Sequence, residues 1–236
     1  MDTLLGIWNS LFGAAGSLGS AAGGVLASNT KSMDVAQLMA LAAALGWASG
    51  IRLYLVVFIT GLAGMLGWLP LPSGLSVLQH PAMLAGSGFM LFVEFFADKI
   101  PGVDTLWDMV HSVIRVPAGA ALAAGVFGAD SATMGSVAGL LGGALAATSF
   151  ATKASARAAV NTSPEPFSNI AMSLAEDGAV LGMMWLATNY PIAFGITLCI
   201  VLVLSIWLVV ILFKYLKAIY RRIAGWLAGD GTAASA

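Results

Sequence analysis

The sequence predicts an all-α, polytopic membrane protein with six transmembrane helices, and three observations predict it: long apolar runs, few charges and many glycines. Of 236 residues, 59% are hydrophobic and 9% charged, whereas a soluble domain carries about 25% charged residues to cover its surface. The 28 glycines suit helices that approach one another closely in lipid. The lipid bilayer is therefore the solvent and first partner of this chain. A net charge of −1 provides no basic field, so no nucleic-acid partner is expected. The single cysteine, Cys199, excludes an intramolecular disulfide and a cysteine zinc site.

A bilayer core about 30 Å thick takes about 20 apolar helical residues. Runs of that order lie at Asp34 to Trp68, Pro81 to Lys99, Val103 to Gly128, Thr133 to Val160, Phe167 to Thr188 and Pro191 to about Tyr215. The first is too long for one straight crossing, and Ser49-Gly50 near its middle predicts a break or strong tilt just before Arg52. Lys214, Lys217, Arg221 and Arg222 follow the last run, whereas the loops Leu69 to His80, Ala129 to Ala132 and Asn189 to Tyr190 contain no lysine or arginine. Positive charge marks the cytoplasmic side, so these loops are expected outside and both termini in the cytoplasm. Trp68, Trp185, Tyr190, Tyr215 and Trp226 fall near run ends, where aromatic residues settle at the headgroups.

Before the first run, residues 3–27 are uncharged but interrupted by glycines. Leu4, Trp8, Leu11, Ala15 and Leu18 recur at helical spacing, with Asn9, Ser10, Gly13 and Ser17 interleaved, as an interfacial helix requires; a seventh span is the alternative. The domain reading is thus an N-terminal interfacial or re-entrant segment over 1–30, one membrane domain over 31–225 and a disordered cytoplasmic tail over 226–236.

Charges inside or at the edges of the spans carry the functional signal: Arg52, Glu94, Asp98, Lys99, Asp104, Asp108, Arg115, Lys153, Arg157, Glu176 and Asp177. A charge at mid-bilayer costs about 2.5 to 3.5 kcal/mol even on the mildest scale, so these side chains must face one another or water. Asp104, Asp108, His111 and Arg115 recur at i, i+4, i+7 and i+11, one stripe of a helix. Glu94 and Asp98 share a face, as do Lys153 and Arg157. Acidic and basic stripes from different helices can therefore meet, with protonated His111 as a further cation, and the expected result is a polar cavity open to the cytoplasm. Arg52, Lys153 and Arg157 are expected to pair chiefly with Glu94, Asp98, Glu176 and Asp177. Lys99 to Val103 and Asn161 to Pro166 form short proline-containing turns, either plain caps or tips of re-entrant hairpins.

Three spans per half invite an inverted repeat, 34–128 against 133–225, in which Arg52 answers to Lys153 and Glu94 to Glu176. Gly135, Gly139 and Gly143 form small-xxx-small steps that permit tight contact within the chain or in a homo-oligomer.

Gly46 to Arg52, Asp98-Lys99-Ile100-Pro101, Trp107-Asp108, Ala151-Thr152-Lys153 and Asn161 to Pro166 together resemble a bacterial membrane-protein family catalogued as a domain of unknown function, DUF4126. The resemblance covers about Leu38 to Ile223. It implies a membrane location and no activity.

The charges point first to a small secondary transporter or channel handling a proton or small ion, with the acids and His111 carrying it. The alternatives are a structural or accessory subunit whose charges fix helix register, and an intramembrane metal-dependent enzyme using Glu94, Asp98, Asp104, Asp108 and His111. No catalytic signature accompanies these residues, and no cofactor is expected.

Overall fold

A computed structural model describes residues 33–100, 102–128, 131–160 and 166–227; these are mostly helical, with no strand among them. The expected interfacial segment, the tail beyond 227, Pro101, Asp130 and the turn 161–165 lie outside the described residues. Five helices are long and apolar enough to cross a bilayer, or six if a bent pair counts as one span. The chain is an all-α polytopic membrane protein.

Helix α1 (Val35–Met65) starts at a capping box, in which Asp34 accepts from the Gln37 amide at 2.8 Å and Gln37 accepts from the Asp34 amide at 3.0 Å. It breaks at Arg52, whose φ of −141° and ψ of 73° are not helical. The break follows the predicted Ser49-Gly50 pair, and its cause lies on α4 (Ala132–Val160). A Cβ on Gly50 would collide with Ala146 and Ser149. Ser149 donates to the Trp47 carbonyl at 2.6 Å and Lys153 to the Ile51 carbonyl at 3.0 Å. Carbonyls of the last turn before the break are thus satisfied from a neighbouring helix, the condition for irregular backbone at membrane depth.

The chain does more than tilt at this point. Met33 and Gln37 line one pocket of about 550 Å³ together with Ile59, Thr60 and Ala63. On a straight helix, residues 37 and 60 would stand about 35 Å apart. The two arms, 35–51 and 53–65, therefore fold back on one another as a helical hairpin with Arg52 at its tip. Sequence periodicity cannot distinguish this from one long tilted span, because both arms are equally apolar.

A 3-10 segment (Ser73–Gln79) leads at 66° into α2 (Pro81–Ala97), which His80 caps by accepting the Ala82 amide at 3.2 Å on Nδ1. Helix α2 runs back along the second arm toward Arg52. Helix α3 (Val103–Phe127) follows Gly102, whose φ of +88° favours glycine. It pairs antiparallel with α4 through small residues: a Cβ on Gly135 would stand 2.9 Å from the Gly128 Cα, and one on Gly139 3.3 Å from Ala124 Cβ. Gly135, Gly139 and Gly143 are therefore taken up inside the chain by α3. Helices α5 (Pro166–Asn189) and α6 (Pro191–Leu227) complete the bundle.

The first arm lies along α4 in the same direction, Gly46 on Gly142 and then Gly50 on Ala146. An inverted repeat requires its first and fourth spans to run oppositely, and α4 carries no counterpart of the Arg52 break.

Candidate functional site

The hairpin tip brings Arg52 into the middle of the bundle, where four other helices present charge. Arg52 pairs with Asp98, with Asp177 at 2.9 Å and with Glu176 at 3.5 Å, and donates to Ser173 Oγ at 2.6 Å. Arg157 on α4 pairs with Glu176 at 2.9 Å and with Asp98 and Asp104 at 3.4 Å, and donates to the Asp98 carbonyl at 3.2 Å. Lys153, one turn earlier, pairs with Asp108 at 3.0 Å and Glu176 at 3.4 Å. Arg115 closes the other end on Glu94 at 2.6 Å and Asp108 at 2.8 Å. Glu176 and Asp108, each shared between cations, join these pairs into one continuous network.

Helical spacing explains the convergence. The stripe Asp104, Asp108 and Arg115 faces inward on α3, Lys153 and Arg157 face it from α4, and Ser173, Glu176 and Asp177 share a turn of α5. Lys153 also stands at the carbonyl end of the first arm, where the helix dipole is negative, so one ammonium serves the break and the network together.

Ten of the eleven site residues expected from sequence meet here. His111 lies beside the network and supplies no ion pair: its ring stacks on Trp107 at 4.0 Å, meets Tyr54 edge-on at 5.7 Å, and its Nδ1 bonds the Trp107 carbonyl at 2.8 Å. Lys99, at the edge of α2, turns to the Phe95 carbonyl at 2.9 Å and lies over that ring. The expected open cavity is a correction: the charges close on one another, and apart from Asp177, at 25%, their side chains are at most 8% exposed. Mutual neutralisation lowers the energy of burial, which an unpaired set would not survive. Two pockets nevertheless touch the network, one of about 290 Å³ at Asp108 and Arg157 between α3 and α4, the other of about 450 Å³ at Asp177 between α2 and α5.

Pairing also differs in detail. Glu94, expected to serve Arg52, Lys153 or Arg157, goes to Arg115, and the Lys153 partner missed by the sequence is Asp108. Ser149 and Ser173 were missed as well. Each lies one helical turn before an identified charge, at Lys153 and Asp177, and that spacing is the signal that could have found them.

The family profile described as Domain of unknown function (DUF4126) matches residues 39–210, most of the chain. The chain belongs to the DUF4126 family. The matched stretch contains the hairpin from Met39 onward and every member of the network, so this site is inside the DUF4126 domain and the basic end of α6 is outside it. No curated protein and no solved structure matches the chain. Among the described residues of this DUF4126 protein, no three His, Cys, Asp or Glu side chains converge as metal ligands; Glu94 and Asp108 are drawn to Arg115, and Asp98 and Asp104 to Arg157.

Proposed function

We propose that this protein is a small secondary transporter or channel-like protein of the bacterial inner membrane that passes a proton or small cation through the buried network. One observation carries the reading: among the described residues, six carboxylates (Glu94, Asp98, Asp104, Asp108, Glu176, Asp177) meet four cations (Arg52, Arg115, Lys153, Arg157), a formal surplus of two negative charges. A network that served only helix register would be balanced, because each uncompensated buried charge is expensive. The surplus has a location. Glu94 Oε2 and Asp98 Oδ1 are buried with no hydrogen-bond partner among the described residues, positions where a proton or cation relieves the excess. A helix broken within the bundle, with its ends turned toward charged groups, is also the architecture by which secondary transporters build ion sites.

The hairpin and the basic residues support one sidedness. Met33, the 3-10 segment, Gly128, Ser131 and Tyr190 lie at one end of the bundle, and the basic end of α6 lies at the other. We assign the second end to the cytoplasm, which leaves the three loops outside as expected and moves Met33 outside with them. This departs from an N-terminal boundary in the cytoplasm.

The near-complete burial of the network favours a second reading, a structural subunit held in register by its ion pairs. Proteoliposomes carrying a trapped pH dye separate the two. Under an imposed potential, the transporter reading expects wild-type protein to acidify or alkalinise the lumen and Asp108→Asn to slow this at least tenfold. Flux equal to that of empty liposomes, across a panel of small cations, would leave the structural reading in possession.

A further inference from the structure

The geometry points to a binding site for an apolar organic cation in the cleft between α2 and α5, an inference that rests on the acidic surplus of the network and assigns it a ligand class. The cleft has a volume of about 450 Å³, within the range of small-molecule sites. Leu55 of the second hairpin arm, Phe92, Phe95 and Phe96 of α2 and Asp177 of α5 line it. Aromatic rings and one carboxylate are the chemistry that recognises a cation with apolar substituents.

Three observations restrict the ligand. Phe95 already accepts a cation, since the Lys99 ammonium stands 2.8 Å from its ring centroid. Phe92 and Phe96 meet edge-to-face at 4.8 Å, and Phe95 and Phe96 at 5.5 Å, so the three rings act as one wall. Asp177 is the most exposed network acid, at 25% of its side chain. Its partner Arg52 keeps Asp98, Glu176 and Ser173 if Asp177 turns to another cation. An inorganic cation needs about six oxygen ligands or its own water shell, and a wall of phenylalanine supplies neither. An organic cation carries apolar groups for the rings and a charge for Asp177, and it can enter from the lipid that α2 and α5 face.

Equilibrium binding of radiolabelled tetraphenylphosphonium to the full chain in detergent tests the site. Saturable binding near one per chain is expected, with affinity lowered at least tenfold in Asp177→Asn and three- to tenfold in Phe92→Leu or Phe95→Leu. The phenylalanine variants leave the network intact, so they keep the test valid if Asp177→Asn fails to fold. Competition by neutral triphenylphosphine oxide should be at least tenfold weaker. Unsaturable uptake, equal affinity in all three variants, or equal competition by the neutral compound would overturn the inference. Failure here with Asp108-dependent proton flux intact removes only the ligand class. Asp177-dependent binding without flux keeps the site and removes the transport reading.

Discussion

At Arg157 the network is most crowded: one guanidinium serves Glu176, Asp98 and Asp104 within 3.4 Å while its side chain is 2% exposed. Removing a cation from an acidic network deepens the surplus, whereas removing an acid relieves it. Arg157→Met is therefore expected to destabilise the protein by about 3 to 5 kcal/mol, and Asp98→Asn by clearly less, measured as thermal unfolding in detergent. Equal losses would mean that the surplus is already neutralised by bound protons. The pair Glu94 and Arg115, both side chains 0% exposed, gives a second measurement. Glu94→Gln and Arg115→Met should each destabilise, and the double variant should recover part of the loss; strict additivity would dissolve the pair. These residues were legible in the sequence because charge in an apolar run has so few tolerable environments. Their partners were legible in part: Arg52 meets the expected Asp98, Glu176 and Asp177, and Arg157 the expected Asp98 and Glu176, but helical spacing gives the face a side chain occupies and not which helix lies opposite. Glu94 and Asp98 share one face of α2, yet one meets Arg115 of α3 and the other Arg52 of the hairpin.

Among the elements, the hairpin depends on close contact between α1 and α4. A Cβ at Gly46 would lie 2.6 Å from the Gly142 Cα, a backbone atom that cannot rotate away. Gly46→Ala is expected to cost about 1 to 3 kcal/mol through overpacking. Gly86, on α2, has nothing within 4 Å of the same hypothetical atom, so Gly86→Ala should be neutral or stabilise by about 0.4 to 1 kcal/mol by restricting the unfolded chain. Thermal unfolding of the two variants checks the contrast, and a neutral Gly46→Ala would show that the two helices are not in contact there. Glycine content pointed to such contacts in general. Its pattern on α4 was read correctly as a contact stripe, but Gly142, on which Gly46 rests, falls between the marked positions. Helix termini were more legible than the break: Asp34, His80 and Gly102 punctuate the chain with polar or glycine residues, whereas the first run, once past Gln37, stays apolar through residue 52 apart from Ser49 and Arg52 itself.

For the molecule as a whole, the decisive question is how often α1 crosses the bilayer. Hydropathy counts a 31-residue apolar helix as a crossing because length and composition are all it measures. The shared pocket of Gln37 and Thr60 requires the chain to return to its starting side, and Arg52, dipped into the bundle, is the reason a return is tolerable: its charge is met by three carboxylates that lipid could not offer. The two topologies differ in parity. With α1 as one crossing, residues 35 and 73 lie on opposite sides; with α1 as a hairpin, they lie on the same side. Cys199 is exposed on α6, so a Cys199→Ser background comes first. Single cysteines then replace Val35, Ser73 and Lys217, all exposed, in right-side-out membrane vesicles. A membrane-impermeant maleimide is expected to label positions 35 and 73 at once and position 217 only after permeabilisation. Labelling of 73 but not 35 would turn α1 into a crossing helix, withdraw Arg52 from a hairpin tip, and leave the charge network without the broken helix on which the transport reading relies.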